Sequence, residues 1–107
     1  MRNNMSYIYK KFMTQVLMAK DKTELKRWKR TTNTYNALYF ELKKDDTTWR
    51  ICFNYLSVLD LNVVIQLQRI VLHKGTNVSE VNFNLNSDSK NMINAIKFIL
   101  TTMNDQK

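Results

Sequence analysis

Two stretches of the chain alternate strictly between apolar and polar residues. In Asn36–Leu42, Leu38, Phe40 and Leu42 alternate with Ala37, Tyr39 and Glu41; in Trp49–Tyr55, Trp49, Ile51, Phe53 and Tyr55 alternate with Arg50, Cys52 and Asn54. A period of two belongs to strands with one buried face, so these stretches predict a β-hairpin. With Asp45-Asp46 as the turn, Leu42, Phe40 and Leu38 oppose Trp49, Ile51 and Phe53 on one face, while Glu41 meets Arg50 and Lys43 meets Thr48 on the other. One register thus yields both an apolar face and an opposite-charge pair, which is an internal check on it. Asp-Asp is nevertheless a poorer two-residue turn than Asn-Gly.

The remaining periodicity reads mostly as helix. Ile8, Phe12, Val16 and Ala19 predict a first helix capped by Ser6 and running to about Lys20. Asp21-Lys22-Thr23-Glu24 has the form of a capping box and predicts a second helix through Leu25 and Trp28 to about Thr31. Asn62, Gln66, Arg69 and His73 form one polar stripe on an otherwise apolar cylinder, predicting a largely buried third helix from Asp60 as N-cap to Gly75 as its stop. Val81, Phe83 and Leu85 alternate as a short strand. Ser87 or Asp88 caps a last helix with Met92, Ile93, Ile96, Ile99, Leu100 and Met103 inward and Lys90, Asn94, Lys97 and Thr101 outward.

The expected order is therefore α-α-β-β-α-β-α, an α+β fold with one three-stranded sheet. Its apolar face is expected to be packed by the third and fourth helices; the other is either solvated or covered by the N-terminal helices. The chain has 107 residues, 44% of them hydrophobic, and no repeat or linker, so residues 1–107 are expected to form one domain, frayed at 1–5 and 104–107.

Composition narrows the chemistry. The longest apolar runs are far shorter than the roughly 20 residues of a membrane span, and the N-terminal residues lack the apolar segment of a secretory signal, so a cytoplasmic protein with no membrane contact is expected. Cys52 is the single cysteine and reads as an apolar filler within a strand. His73 is the single histidine and reads as a surface residue at a helix C-terminus. One histidine and one cysteine build no catalytic triad, and the scattered acids and lone Gly75 build neither a metal cluster nor a phosphate-cradling loop. No cofactor, no metal and no catalytic residue are expected. A compact basic ribonuclease using Lys26, Arg30, Tyr39 and Arg50 is the enzymatic class left open.

Charge is the most informative quantity. Residues 1–30 carry nine basic side chains against two acidic ones, while residues 31–107 carry eight against seven; nearly all of the net +8 sits in the first third. On a helix begun at Lys22, the side chains of Lys22, Lys26, Lys29 and Arg30 share a face, Trp28 and Leu25 share another, and Arg27 lies between. With Lys20 they offer phosphate contacts, to which Thr31, Thr32 and Asn33 add hydrogen-bond donors. Tyr39, Lys43 and Arg50 share the non-core face of the hairpin and form a second, thinner candidate, a stacking surface for bases. Lys90 and Lys97 fall in the nearly neutral remainder and are expected to contribute little.

The leading expectation is a non-enzymatic nucleic-acid-binding protein, DNA rather than RNA, acting as an accessory or regulatory factor. Few glycines, no proline and abundant Asn, Lys and Ile fit the AT-rich coding of a phage or mobile element. The alternative is a protein-binding module or inhibitor that docks the basic helix on an acidic partner. Free sheet edges leave homodimerisation open in either case.

Overall fold

The computed structural model describes residues 2–34, 37–55 and 61–105, without the side chains of residues 2–6 and 32–34. The hairpin forms in the expected register. Strand β2 (Ala37–Lys44) pairs antiparallel with β3 (Thr47–Tyr55), with Phe40 opposite Ile51, Leu42 opposite Trp49 and Glu41 opposite Arg50. The turn works because Asp45 takes a positive φ of 56°, a conformation that Asp tolerates better than most residues.

The class is α+β, as expected, but the sheet has five strands in the order β1-β2-β3-β4-β5, every neighbour antiparallel. Two segments expected as helix supply the additional strands. The segment expected as a third helix is instead β4 (Asn62–Val71), whose Val63, Ile65 and Leu67 lie opposite Tyr55, Phe53 and Ile51 of β3. Its β-branched residues suit a pleated surface, and the apolar edge of β3 supplies the partner that periodicity alone does not reveal. Asp60, the expected N-cap, lies outside the described residues. Gly75 ends no helix: it sits in β5 (Lys74–Asn84), and the turn before it holds Leu72 and His73 at positive φ of 52° and 68°. His73 therefore lies on a hairpin turn, not at a helix C-terminus.

The second expected helix shrinks to a single 3-10 turn, Glu24–Arg27. Its N-cap is Thr23, not Asp21: the buried Thr23 hydroxyl accepts from the Leu25 N–H and donates to the Ala19 carbonyl, tying this turn to the preceding helix. Trp28 then leaves the helical region, and Lys29–Thr34 become β1 on the free edge of β2.

Helices α1 (Arg2–Asp21) and α2 (Ser89–Asp105) both lie on one face of the sheet and pack against each other. Phe12, Val16 and Ala19 of α1, and Met92, Ile96, Ile99, Leu100 and Met103 of α2, join Leu38, Phe40, Ile51, Phe53, Ile65 and Leu67 in one core. The Asp88 carboxylate accepts from the Lys90 N–H and caps α2, as its sequence implies. Among the described residues no helix lies on the opposite sheet face, which is the solvated alternative of the two expected.

Candidate nucleic-acid interface

The basic residues of the first third do not form a helical stripe, because most of the helix that would carry it is absent. Lys20 ends α1 and turns inward, its Nζ 5.7 Å from the centre of the Phe40 ring. Lys22 precedes the 3-10 turn and Lys26 lies within it, both exposed; Arg27 pairs with Glu24 at 3.5 Å, a contact too exposed to neutralise it strongly. Lys29 and Arg30 run along β1 as neighbours in a strand, so their side chains leave on opposite faces. The shared face assigned to Lys22, Lys26, Lys29 and Arg30 is thereby corrected.

The second candidate is brought together and largely spent internally. The Arg50 guanidinium stacks 5.5 Å from the Tyr39 ring centre and donates to the same Glu41 oxygen from Nε at 2.8 Å and from Nη2 at 2.7 Å. Its charge is thus balanced by a carboxylate, and Tyr39, the one aromatic of the open face among the described residues, is already covered by its neighbour. Lys43, next along the strand, is exposed and has Thr48 opposite it. Cys52, also on this face, is buried; desolvation pushes its thiol up to about 11, with Arg50 pulling down and Glu41 pushing up to lesser degrees. It is a packing residue with no thiolate character at neutral pH. Among the described residues no three of His, Cys, Asp and Glu converge.

What tertiary structure assembles instead is a ring of cations around the last turns of α2. A depression of about 480 Å³ between the 3-10 turn and α2 is lined by Lys22, Lys26 and Lys97, with Thr101 and Asn104 on its helical wall. A second, of about 330 Å³, lies between Arg27 and Lys44 over Trp28, Leu42 and Met103. A third, of about 420 Å³, lies between Lys44 and Arg69 beside Trp49. All three share Asn104. Six cations from four parts of the chain thus border one helix end, against the acids Asp21, Glu24 and Asp45 in the same walls.

Lys44, Arg69 and Lys97 were not legible as site residues. Lys97 shares a helical flank with Thr101 and Asn104 at spacings of four and three, but nothing local announces that Lys22 and Lys26 stand across from it. Part of the ring has a structural role. The C-terminus of a helix carries about half an elementary negative charge, and α2 has no basic residue in its own last turn, so cations from neighbouring elements stabilise it. One cation suffices for that, and it leaves a net excess of two in the ring.

Comparison with protein-family models, with curated proteins and with solved structures returns no match. No family membership supplements the geometry, and the ring is the feature on which a functional reading rests.

Proposed function

We propose that the protein binds nucleic acid without catalysing a reaction, holding backbone phosphates in the ring of Lys22, Lys26, Arg27, Lys44, Arg69 and Lys97. The observation that carries this reading is convergence: cations distant in sequence surround one helix end in a number exceeding what the helix dipole uses. Lys22, Lys26 and Lys97 line one depression and Arg69 with Lys44 another, and the two meet at Asn104. Duplex DNA, which presents the denser line of phosphates, is the first ligand to test. The composition that fits an AT-rich genome keeps a phage or mobile-element accessory factor as the proposed setting. An acidic protein surface seated on the same cations is the alternative.

The test is binding of a labelled duplex by fluorescence anisotropy across a salt series. Six phosphate contacts correspond to a log–log slope of about −5, and Lys22→Ala, Lys26→Ala and Lys97→Ala together reduce it by nearly 3, because each lost contact removes about 0.9. The effect is alike for every duplex sequence, since phosphate contacts position without reading bases. Lys10→Ala, Lys11→Ala and Lys90→Ala together, all outside the ring, are the charge-matched control. Equal losses in the two variants indicate diffuse attraction by a +8 chain and reject the ring. No binding by the wild type at physiological salt transfers the ring to an acidic protein partner.

A further inference from the structure

We propose that the free edge of β5 is a self-association site, at which a second copy of the chain pairs antiparallel to extend the sheet from five strands to ten. The two edges of the sheet differ in how they are guarded. Edge strand β1 is six residues long, opens with Lys29 and Arg30, and is kinked by a bulge at Thr31. Charged residues, short length and bulges are the usual devices that prevent edges from pairing. Strand β5 is eleven residues long; it has a bulge at Val78, but beyond it Ser79–Asn84 runs regularly, with Glu80 the one charge and no lysine, arginine or proline.

The helices leave this edge uncovered. Helix α2 packs beside β5, but Met103 in its last turn lines depressions shared with Trp49 of β3 and Leu42 of β2, so that by its end the helix lies toward the middle of the sheet. Val81 faces the helix layer as Phe83 does, yet it is only half-buried. On α2 the flank bordering the 3-10 turn carries Lys97, Thr101 and Asn104; the opposite flank carries Asn91, Ala95, Phe98 and Thr102, without a charge, and Phe98 is 58% exposed.

Three observations select a second copy as the occupant. A net charge of +8 makes two copies repel over most of their surface, and this strand and helix flank form the nearly neutral part. Nucleic acid, drawn to the ring, has no attraction here. The edge is also self-complementary: residues directly opposite in an antiparallel pair share a face, so a two-fold axis through Val81 sets Val81 against Val81 of the second copy on the helix side. On the open side the same axis sets Glu80 against the Asn82 amide of the second copy, keeping the two Glu80 carboxylates apart. The axis places both helix layers on one side of the joined sheet, with the two Phe98 flanks turned toward the junction.

The test uses the free protein, so its outcome is independent of the nucleic-acid reading. Sedimentation from about 1 µM to about 1 mM spans the affinities of a small, reversible interface and should show a monomer–dimer equilibrium. Phe98→Glu should weaken it about tenfold, and Val81→Lys, which sets two ammonium groups face to face at the axis, about a hundredfold. Tyr7→Glu, a change at an equally exposed apolar residue on α1, should leave it unaltered. Val81→Cys should give a covalent dimer on mild oxidation, since Cys52 is buried. Circular dichroism verifies the fold of each variant; if Val81→Lys unfolds, Phe98→Glu decides. A wild type that stays monomeric throughout, a dimer indifferent to Phe98→Glu, or one equally weakened by Tyr7→Glu overturns the proposal.

Discussion

The two faces of the sheet bury side chains by different means. On the helix side Leu38, Phe40, Ile51, Phe53, Ile65 and Leu67 are fully buried beneath α1 and α2. On the open side Ala37, Cys52 and Val64 are also buried, although among the described residues no secondary-structure element covers them. Their cover comes from the longer polar residues around them: Arg50 lies over Tyr39 and onto Glu41, and Gln66 donates to Glu80 at 2.9 Å. Long side chains of this kind shield apolar surface with their stems while their polar ends stay in water or pair with one another. Burial on the helix side therefore depends on tertiary packing, whereas burial on the open side depends on a hydrogen-bonded surface layer that adjusts when one member is lost.

That difference is open to measurement. Phe40→Ala removes a fully buried ring that packs edge-on against Phe53 at 5.8 Å and leaves a cavity under two helices, so chemical denaturation should show a loss of about 3–5 kcal/mol. A loss below about 1 kcal/mol would mean that the helix layer is no more rigid than the open face.

Cys52 offers an intermediate effect with a defined sign. Its thiol is raised from 9.0 to about 11 in the fold, so the folded state retains a proton that the unfolded chain gives up. The stabilisation is complete below pH 9 and declines as pH rises toward 11, by about 2 kcal/mol. Lysines and tyrosines titrate in the same range, so the measurement is the difference in pH dependence between wild type and Cys52→Ala. An identical dependence in the two would show that solvent reaches Cys52 through its polar cover.

Glu41→Ala should be the mildest change, under about 1 kcal/mol, because Arg50 is nearly a third exposed and keeps its stacking on Tyr39. A cost comparable with that of Phe40→Ala would make the Arg50–Glu41 pair a core interaction and erase the distinction between the faces.

Sequence alone determined the features that depend on neighbours along the chain. The β2–β3 register, the inward residues of α2, the Asp88 cap and the filler role of Cys52 follow from period, capping chemistry and charge pairing within a few residues. Tertiary structure decided the rest. In β4, Asn62, Gln66, Arg69 and His73 fit a helical stripe as well as Val63, Ile65 and Leu67 fit a strand, and the choice was made by the unpaired edge of β3. The capping box read at Asp21–Glu24 did not form: Asp21 belongs to α1, Thr23 caps a single turn, and Lys29–Thr34 then pair with the edge of β2. The ring of cations is a consequence of both choices. Moving Arg69 from a helix to a strand, and ending the helical turn at Arg27, sets both beside Lys44, an adjacency that no local pattern encodes.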